Sequence, residues 1–248
     1  MIELAVTDGV AWLTLARPGA LNALDRALTA RLETALDRVA AMNDVVVLVV
    51  SGRGRAFCAG NDIREMATLT PEEAGALGTR QARLMERFAE LPQVTLAAVD
   101  GYALGGGLML AIAQDLRIAS DRARFGLPEV TLGFNPAYGI ARLLDVAGGS
   151  HARDLLLSGR TIRAADALRI GLVSRVVAAP TLEASARQWA EEIARLPREG
   201  LAATKQAVAD IRRGEPGREP ERYAATLATD AARARVRAFS ERKTPPKG

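Results

Sequence analysis

Three short stretches hold the residue types that could do chemistry. The first, Gly52-Arg53-Gly54-Arg55-Ala56-Phe57-Cys58-Ala59-Gly60-Asn61-Asp62-Ile63, is a glycine-rich loop directly after a continuous apolar run. Glycine lets backbone N–H groups approach a ligand closely, which phosphate and oxyanion sites need. A dinucleotide fingerprint would carry a third glycine three residues after Gly54, where Phe57 stands, so nicotinamide binding is disfavoured. The second, Asp100-Gly101-Tyr102-Ala103-Leu104-Gly105-Gly106-Gly107-Leu108-Met109, passes through three glycines into an apolar helical pattern. A helix N-terminus has unpaired N–H groups and partial positive charge, and suits an oxygen that becomes negative during a reaction. In the third, Phe125-Gly126-Leu127-Pro128-Glu129-Val130, the carboxyl sits among apolar neighbours. Desolvation there would raise its pKa and fit it for general acid or base work near neutral pH. Taken singly, the first loop also reads as an ordinary turn and Glu129 as a helix-start charge.

Other chemistry has little to work with. Cys58 is the one cysteine and His151 the one histidine, which excludes an intrachain disulfide and a Cys- or His-rich metal site. No Gly-x-Ser-x-Gly elbow is present. Asp62 and Asp115, at element junctions, read as structural caps, and His151, after Gly148-Gly149-Ser150, as a surface residue at a helix start. Cys58 reads as a small packing residue. The net charge of +4 suits an anionic small ligand, although the excess of arginine over lysine equally fits genome composition. An aromatic share of 4% is too low for base stacking, so nucleic acid is not expected as a partner. No apolar run approaches the roughly 20 residues that span a bilayer, and the start Met1-Ile2-Glu3 lacks the pattern of a secretion signal. A cytoplasmic location and no membrane partner are expected.

The elements that must position these stretches follow from pattern. Alternating apolar residues in 2–7 and 10–15 around Asp8-Gly9 predict a β-hairpin with a type I′ turn. Leu24, Leu28, Leu32, Leu36 and Val39 form a helical stripe, with Asn22 as its expected N-cap. The run 45–50 predicts a buried, parallel strand. Thr70-Pro71-Glu72-Glu73 combines a capping threonine, a proline at the first helical position and a glutamate at the third, so a helix to about Glu90 is predicted. A strand over 94–99, an apolar helix to about Gln114 and a strand over 116–119 follow. Residues 181–196, 201–212 and 219–239 all read helical. The order is α/β with a helical C-terminal region and a boundary near residue 196.

Taken together and in register, these stretches resemble the crotonase (enoyl-CoA hydratase/isomerase) family. The resemblance rests on Arg17-Pro18-Gly19-Ala20-Leu21-Asn22-Ala23-Leu24, on 56–63, on 100–107 with Asp100 in place of an asparagine, and on 125–129. It continues through Leu157-Ser158-Gly159-Arg160 and Gly171-Leu172-Val173. It implies a crotonase-like spiral of ββα units over 1–196 carrying an acyl-CoA site, and a helical trimerisation or lid region over 197–248, assembled as a homotrimer or homohexamer. It also implies an acyl-CoA thioester as substrate, no tightly bound cofactor and no metal, with coenzyme A present only as part of the substrate. The oxyanion hole maps to the backbone N–H groups of Asn61 and Gly106, and the acid/base to Glu129. Ala59 and Ile63 map near the adenine, Arg17 and Ala20 near the phosphates, and Phe239 and Lys243 to residues that reach coenzyme A. One departure matters: Met109 stands where hydratases of the family carry a second glutamate, and a thioether cannot exchange protons. Isomerisation of a 3-enoyl thioester is therefore expected ahead of hydration, with an acyl-CoA-binding protein of little activity as the alternative. Pro136, Ala137 and Tyr138 occupy the place where another isomerase subgroup holds its acid, and Tyr138 alone offers a hydrogen bond.

Overall fold

The computed structural model describes residues 1–243, with side chains through Glu241. Two compact units divide the chain, 1–195 and 196–248.

The first unit opens with the hairpin β1 (Ile2–Thr7) and β2 (Val10–Leu15), turned at Asp8 and Gly9, both at positive φ. A short 3-10 turn (Pro18–Ala20) leads to helix α1 (Arg26–Ala40). Strands β3 (Val47–Gly52) and β4 (Ala56–Cys58), the short α2 (Ile63–Met66) and the long α3 (Pro71–Glu90) come next. Then follow β5 (Val94–Val99), β6 (Tyr102–Leu104) and α4 (Gly106–Ala113). The sequence β7 (Leu116–Ser120), β8 (Arg124–Gly126), a 3-10 turn (Pro128–Leu132) and α5 (Ile140–Ser158) repeats the pattern. The unit closes with β9 (Thr161–Arg163), α6 (Ala164–Arg169), β10 (Arg175–Val177) and α7 (Leu182–Ala194).

Two sheets carry these strands. The larger has the order β1-β2-β3-β5-β7-β10, parallel except for the opening hairpin. The smaller has the order β4-β6-β8-β9, with β8 and β9 antiparallel. Each pass of the chain lays one long strand in the large sheet and one three-residue strand in the small sheet, then a helix. Three such passes, β3-β4, β5-β6 and β7-β8, form the expected spiral of ββα units. Strand β3 is buried between parallel neighbours, which explains its unbroken apolar run.

Several local expectations need correction. Asn22 is not the cap of α1; Asp25 is, its carboxylate accepting the Leu28 N–H at 2.6 Å. Asn22 is instead fully buried at φ 57°, donating to the Arg53 and Ala56 carbonyls at 3.0 and 2.7 Å and accepting the Arg17 N–H at 2.9 Å. Leu24 lies before the helix, where it pairs with Asn61. The Thr70 capping box forms as the sequence predicts. His151 sits in the helical segment that restarts after Gly148, which breaks α5 at φ 73°.

The second unit is helical: α8 (Arg198–Arg212), α9 (Glu219–Leu227) and α10 (Asp230–Lys243). The predicted single helix over 219–239 is two, because Thr229 turns its hydroxyl to the Ala232 N–H at 3.3 Å and starts a new one. Buried Asp210 ties α8 to α9 through Arg213 and Arg222. Among the described residues no helix is long and apolar enough to cross a membrane.

Candidate active site

The local geometry begins with Asn61. Leu24 donates its N–H to the Gly60 carbonyl at 2.7 Å and accepts the Asp62 N–H at 3.1 Å. In a parallel bridge those bonds use the residues on either side of Asn61, so the Asn61 amide faces away from Leu24. It finds no acceptor among the described residues. Gly60 stands at φ 101°, and a Cβ there would meet the Leu104 carbonyl oxygen at 2.8 Å and the Gly106 nitrogen at 3.3 Å. Glycine at 60 therefore lets the loop after β4 lie against the start of α4.

Three glycines open α4, and each has its own reason. Gly105 takes φ 51°, and a Cβ there would approach Glu129 Oε1 at 2.8 Å. At Gly106 a Cβ would stand 2.5 Å from the Tyr138 hydroxyl and 2.7 Å from Asn61 Oδ1. At Gly107 it would sit on the Cys58 carbonyl oxygen, so that glycine serves the close packing of α4 on β4. As the first residue of the helix, Gly106 has no intrahelical acceptor for its N–H. Every residue of α4 is buried, and its far end is held by two buried arginines. Arg142 donates to the Ala113 carbonyl at 3.0 Å and Arg117 to that of Gln114 at 2.8 Å. Burial pulls the Arg117 guanidinium down to about 10.

Glu129 lies in the 3-10 turn after β8, where Pro128 supplies the fixed φ of the first position. Its Oε2 is buried without a hydrogen-bond partner. Burial holds its carboxyl above the usual carboxylate range, opposed only in part by its own backbone amide. The remaining wall is mostly apolar. Met109 is buried, and its sulfur would lie 2.5 Å from a Cβ placed on Gly139. The Tyr138 hydroxyl donates to Asn61 Oδ1 at 3.2 Å, and burial raises its pKa above the ordinary phenol value.

Asn61, Gly106, Glu129, Ala59 and Ile63 all line one cavity of about 280 Å³. Met109 and Tyr138 line it too. Arg17 and Ala20 do not. The Arg17 guanidinium is paired with Asp62 at 2.7 Å and Asp25 at 3.3 Å, and lines a separate surface recess. Asp62 caps α2 through the Arg64 N–H at 3.0 Å, as its position suggested. Asp115 likewise accepts from the Thr95 amide and hydroxyl at 2.7 and 3.0 Å. Phe239 is exposed on α10 of the second unit, and the Lys243 side chain lies outside the described residues. Cys58 is buried, its thiol pushed up to about 12 by desolvation.

One wall residue escaped the sequence reading. Gln81 of α3 is fully buried and lines the cavity, with neither amide atom hydrogen-bonded. The available signal was a glutamine in the buried register of α3, one turn before Leu84 and Met85.

This arrangement offers two unpaired backbone donors beside an unpaired, desolvated carboxyl in an apolar cavity. It can polarise a carbonyl oxygen and move a proton next to it. The family model described as enoyl-CoA hydratase/isomerase matches residues 5–246. The probable enoyl-CoA hydratase EchA17 of Mycobacterium tuberculosis is 36% identical, over 85% of this chain and 82% of its own. The 2,3-dehydroadipyl-CoA hydratase of Escherichia coli is 38% identical, over 99% and 98%. The crystal structure of an enoyl-CoA hydratase from Bacillus anthracis superposes with a TM-score of 0.90 at 32% identity, covering 98% of this chain and 97% of that one. With its two unpaired amides, its buried carboxyl and these likenesses over nearly its whole length, the chain belongs to the enoyl-CoA hydratase/isomerase family.

Proposed function

We propose that the chain isomerises 3-enoyl-CoA to 2-enoyl-CoA thioesters faster than it hydrates the latter. The observation that carries this reading is that Glu129 is the sole carboxylate lining the cavity among the described residues. The thioester oxygen sits between the Asn61 and Gly106 amides. The Glu129 carboxylate takes a proton from C2, the electron pair of that C–H bond moves onto the thioester oxygen as a dienolate, and the two amides hold the charge. The Glu129 carboxylic acid then returns the proton to C4, leaving the double bond between C2 and C3. No oxidant, metal or bound cofactor enters the balance, and coenzyme A is only the handle of the substrate. Ala59 and Ile63, at the cavity wall, flank the adenine, and the loop of Arg17 and Ala20 the phosphates. Since Arg17 is already paired with two aspartates, its contribution comes from the loop backbone more than from free charge. The helical C-terminal region, which carries Phe239 and Lys243, packs protomers into a trimer or hexamer.

A second reading, hydration of 2-enoyl-CoA, is favoured by the names of the relatives. Water added at C3 needs a group to orient it, and Met109 cannot do so. Both rates are measurable on one preparation, by absorbance for conjugation of the double bond and by mass spectrometry for the added water. Faster isomerisation is expected, and Met109→Glu is expected to raise hydration. Fast hydration with no detectable isomerisation would overturn the order. Tight binding with turnover of neither substrate would make the chain an acyl-CoA-binding homologue instead.

A further inference from the structure

The amide side chains buried in the first unit are, with one exception, tied into the fold. Asn22 uses both ends of its amide, and Gln93 and Gln114 each anchor their NH2 group on a backbone carbonyl. Gln81 is the exception: it is 0% exposed, and neither Nε2 nor Oε1 has a hydrogen-bond partner. A buried amide left without partners weakens a fold, and a glutamine at a core register is poorly explained by packing when leucine would fill the space.

Its place in the cavity gives the amide a use. Along α3 the cavity wall runs from exposed Ala74 through half-buried Leu77 and buried Gly78 to fully buried Gln81. Beyond it, Leu84, Met85 and Phe88 belong to the core. That gradient reads as mouth to floor over about 10 Å of helix, seven residues at about 1.5 Å each. Gly78 keeps the passage narrow, since a Cβ there would already meet the Ala137 Cβ at 3.0 Å. Gln81 thus stands at the closed end of a passage that is otherwise apolar on this side.

The chemistry of the floor selects a class of group. No arginine, lysine or histidine lines the cavity among the described residues, and Glu129 shares it. A carboxylate at the floor would therefore be buried without a counter-ion and would offer nothing to Gln81 Oε1. A ketone would satisfy Nε2 alone. A hydroxyl both donates and accepts, and can serve either end of the amide.

We propose that Gln81 is a specificity-determining residue that selects acyl thioesters carrying a neutral hydroxyl group on the distal part of the acyl chain. The inference rests on the acyl-thioester reading above, with the chain running from the Glu129 end of the cavity toward α3. It adds that the preferred substrate is not a plain alkyl chain.

The test compares three enoyl-CoA thioesters of equal chain length, ending in methyl, hydroxyl or carboxylate, on the wild-type protein and on Gln81→Leu. The readouts are kcat/KM and, by calorimetry, the Kd of the matching saturated thioesters. A site built around a hydrogen bond discriminates strongly against the analogue lacking it. The wild type is expected to favour hydroxyl over methyl by about 10-fold or more in both readouts, and over carboxylate by at least as much. Gln81→Leu is expected to reverse the hydroxyl-to-methyl preference, and Gln81→Met, closer in shape, to do the same should the leucine variant fold poorly. Equal hydroxyl-to-methyl ratios in wild type and variant would overturn the proposal, and so would a carboxylate that binds best. If the wild type turns over none of the thioesters, the catalytic reading fails, while the Kd ratios still decide the role of Gln81.

Discussion

Glu129→Gln separates chemistry from stability, because the two should move in opposite directions. The substitution keeps the shape of the side chain and removes its charge and its ability to exchange a proton. No other carboxylate lines the cavity among the described residues, so no neighbour can take over the proton transfer. Positioned acid/base groups contribute about 10² to 10⁴ in rate, or about 2.7 to 5.5 kcal/mol at roughly 1.36 kcal/mol per decade. The variant is expected to lose at least about 100-fold in kcat. The fold gains instead. Burial raises the folded-state pKa of Glu129 above its unfolded value near 4.5. Between those two values the folded state binds more protons than the unfolded one, so stability falls as pH rises through the window. Above the folded pKa the ionised carboxylate weakens the fold by a constant amount, and glutamine removes that cost. Thermal unfolding at pH 7 should therefore give a Tm for the variant equal to or above that of the wild type, with any gain disappearing below about pH 4.5. In the wild type, the acid limb of kcat/KM should lie above the ordinary carboxylate range, since the base must be ionised to start. Near wild-type turnover would remove Glu129 from the mechanism. A large fall in Tm together with the loss of activity would mean that the carboxylate holds the fold, and the reasoning from burial would be wrong.

The glycine cluster yields a paired prediction. Gly106→Ala drives a Cβ into Tyr138 and Asn61 and should cut kcat by about 10-fold or more in a folded protein, whereas Gly107→Ala meets the Cys58 carbonyl in the core and should cost about 1 to 3 kcal/mol of stability in a denaturant titration. Tyr138→Phe leaves Asn61 Oδ1 without its donor and should lower kcat by roughly 2- to 10-fold, the value of one hydrogen bond, with the pH profile unchanged. Cys58, buried and with its thiol raised to about 12, should resist alkylation in the native protein at pH 8 and react only after unfolding, as labelling followed by mass spectrometry would detect.

What the sequence made legible was local. The opening hairpin, the Thr70 capping box, β3 and β5 each carry their signal within a few residues, through alternation, a cap or an unbroken apolar run. The three-residue strands β4, β6, β8 and β9 carry no such signal, because each is defined by its partners in the small sheet. Asn22 shows the same limit. It looks like a cap beside a helical stripe, and only the folded loops bring the Arg17, Arg53 and Ala56 backbones around its side chain. The site glycines stood out as a cluster, yet their separate duties at Glu129, at Tyr138 and at Cys58 depend on contacts from distant segments. Gln81 was missed for a related reason: a polar residue in a buried register becomes fully informative only when its lack of partners can be seen.

In the proposed mechanism, the placement of charge around α4 lets one buried carboxyl serve as a base. Several carboxylates elsewhere in the chain are paired with arginine, and the pairing lowers their pKa: Asp62 beside Arg17, Asp100 beside Arg122, Glu33 beside Arg80. An arginine in the cavity would stabilise the charge developing on the thioester oxygen, but it would do the same to Glu129 and weaken it as a base. The two arginines buried among the described residues lie at the opposite end of α4, on the Ala113 and Gln114 carbonyls, where they compensate the negative end of the helix dipole. The positive end, with the Gly106 amide, is left facing the cavity. Backbone donors stabilise an oxyanion at the short range where they point, while carrying no net charge to pull the pKa of Glu129 down. Uncharged donors at the start of α4 and a raised glutamate pKa are thus two consequences of one arrangement. Moving a cation into the cavity, as Met109→Lys would, should lower the acid limb of the pH profile even where it strengthens thioester binding.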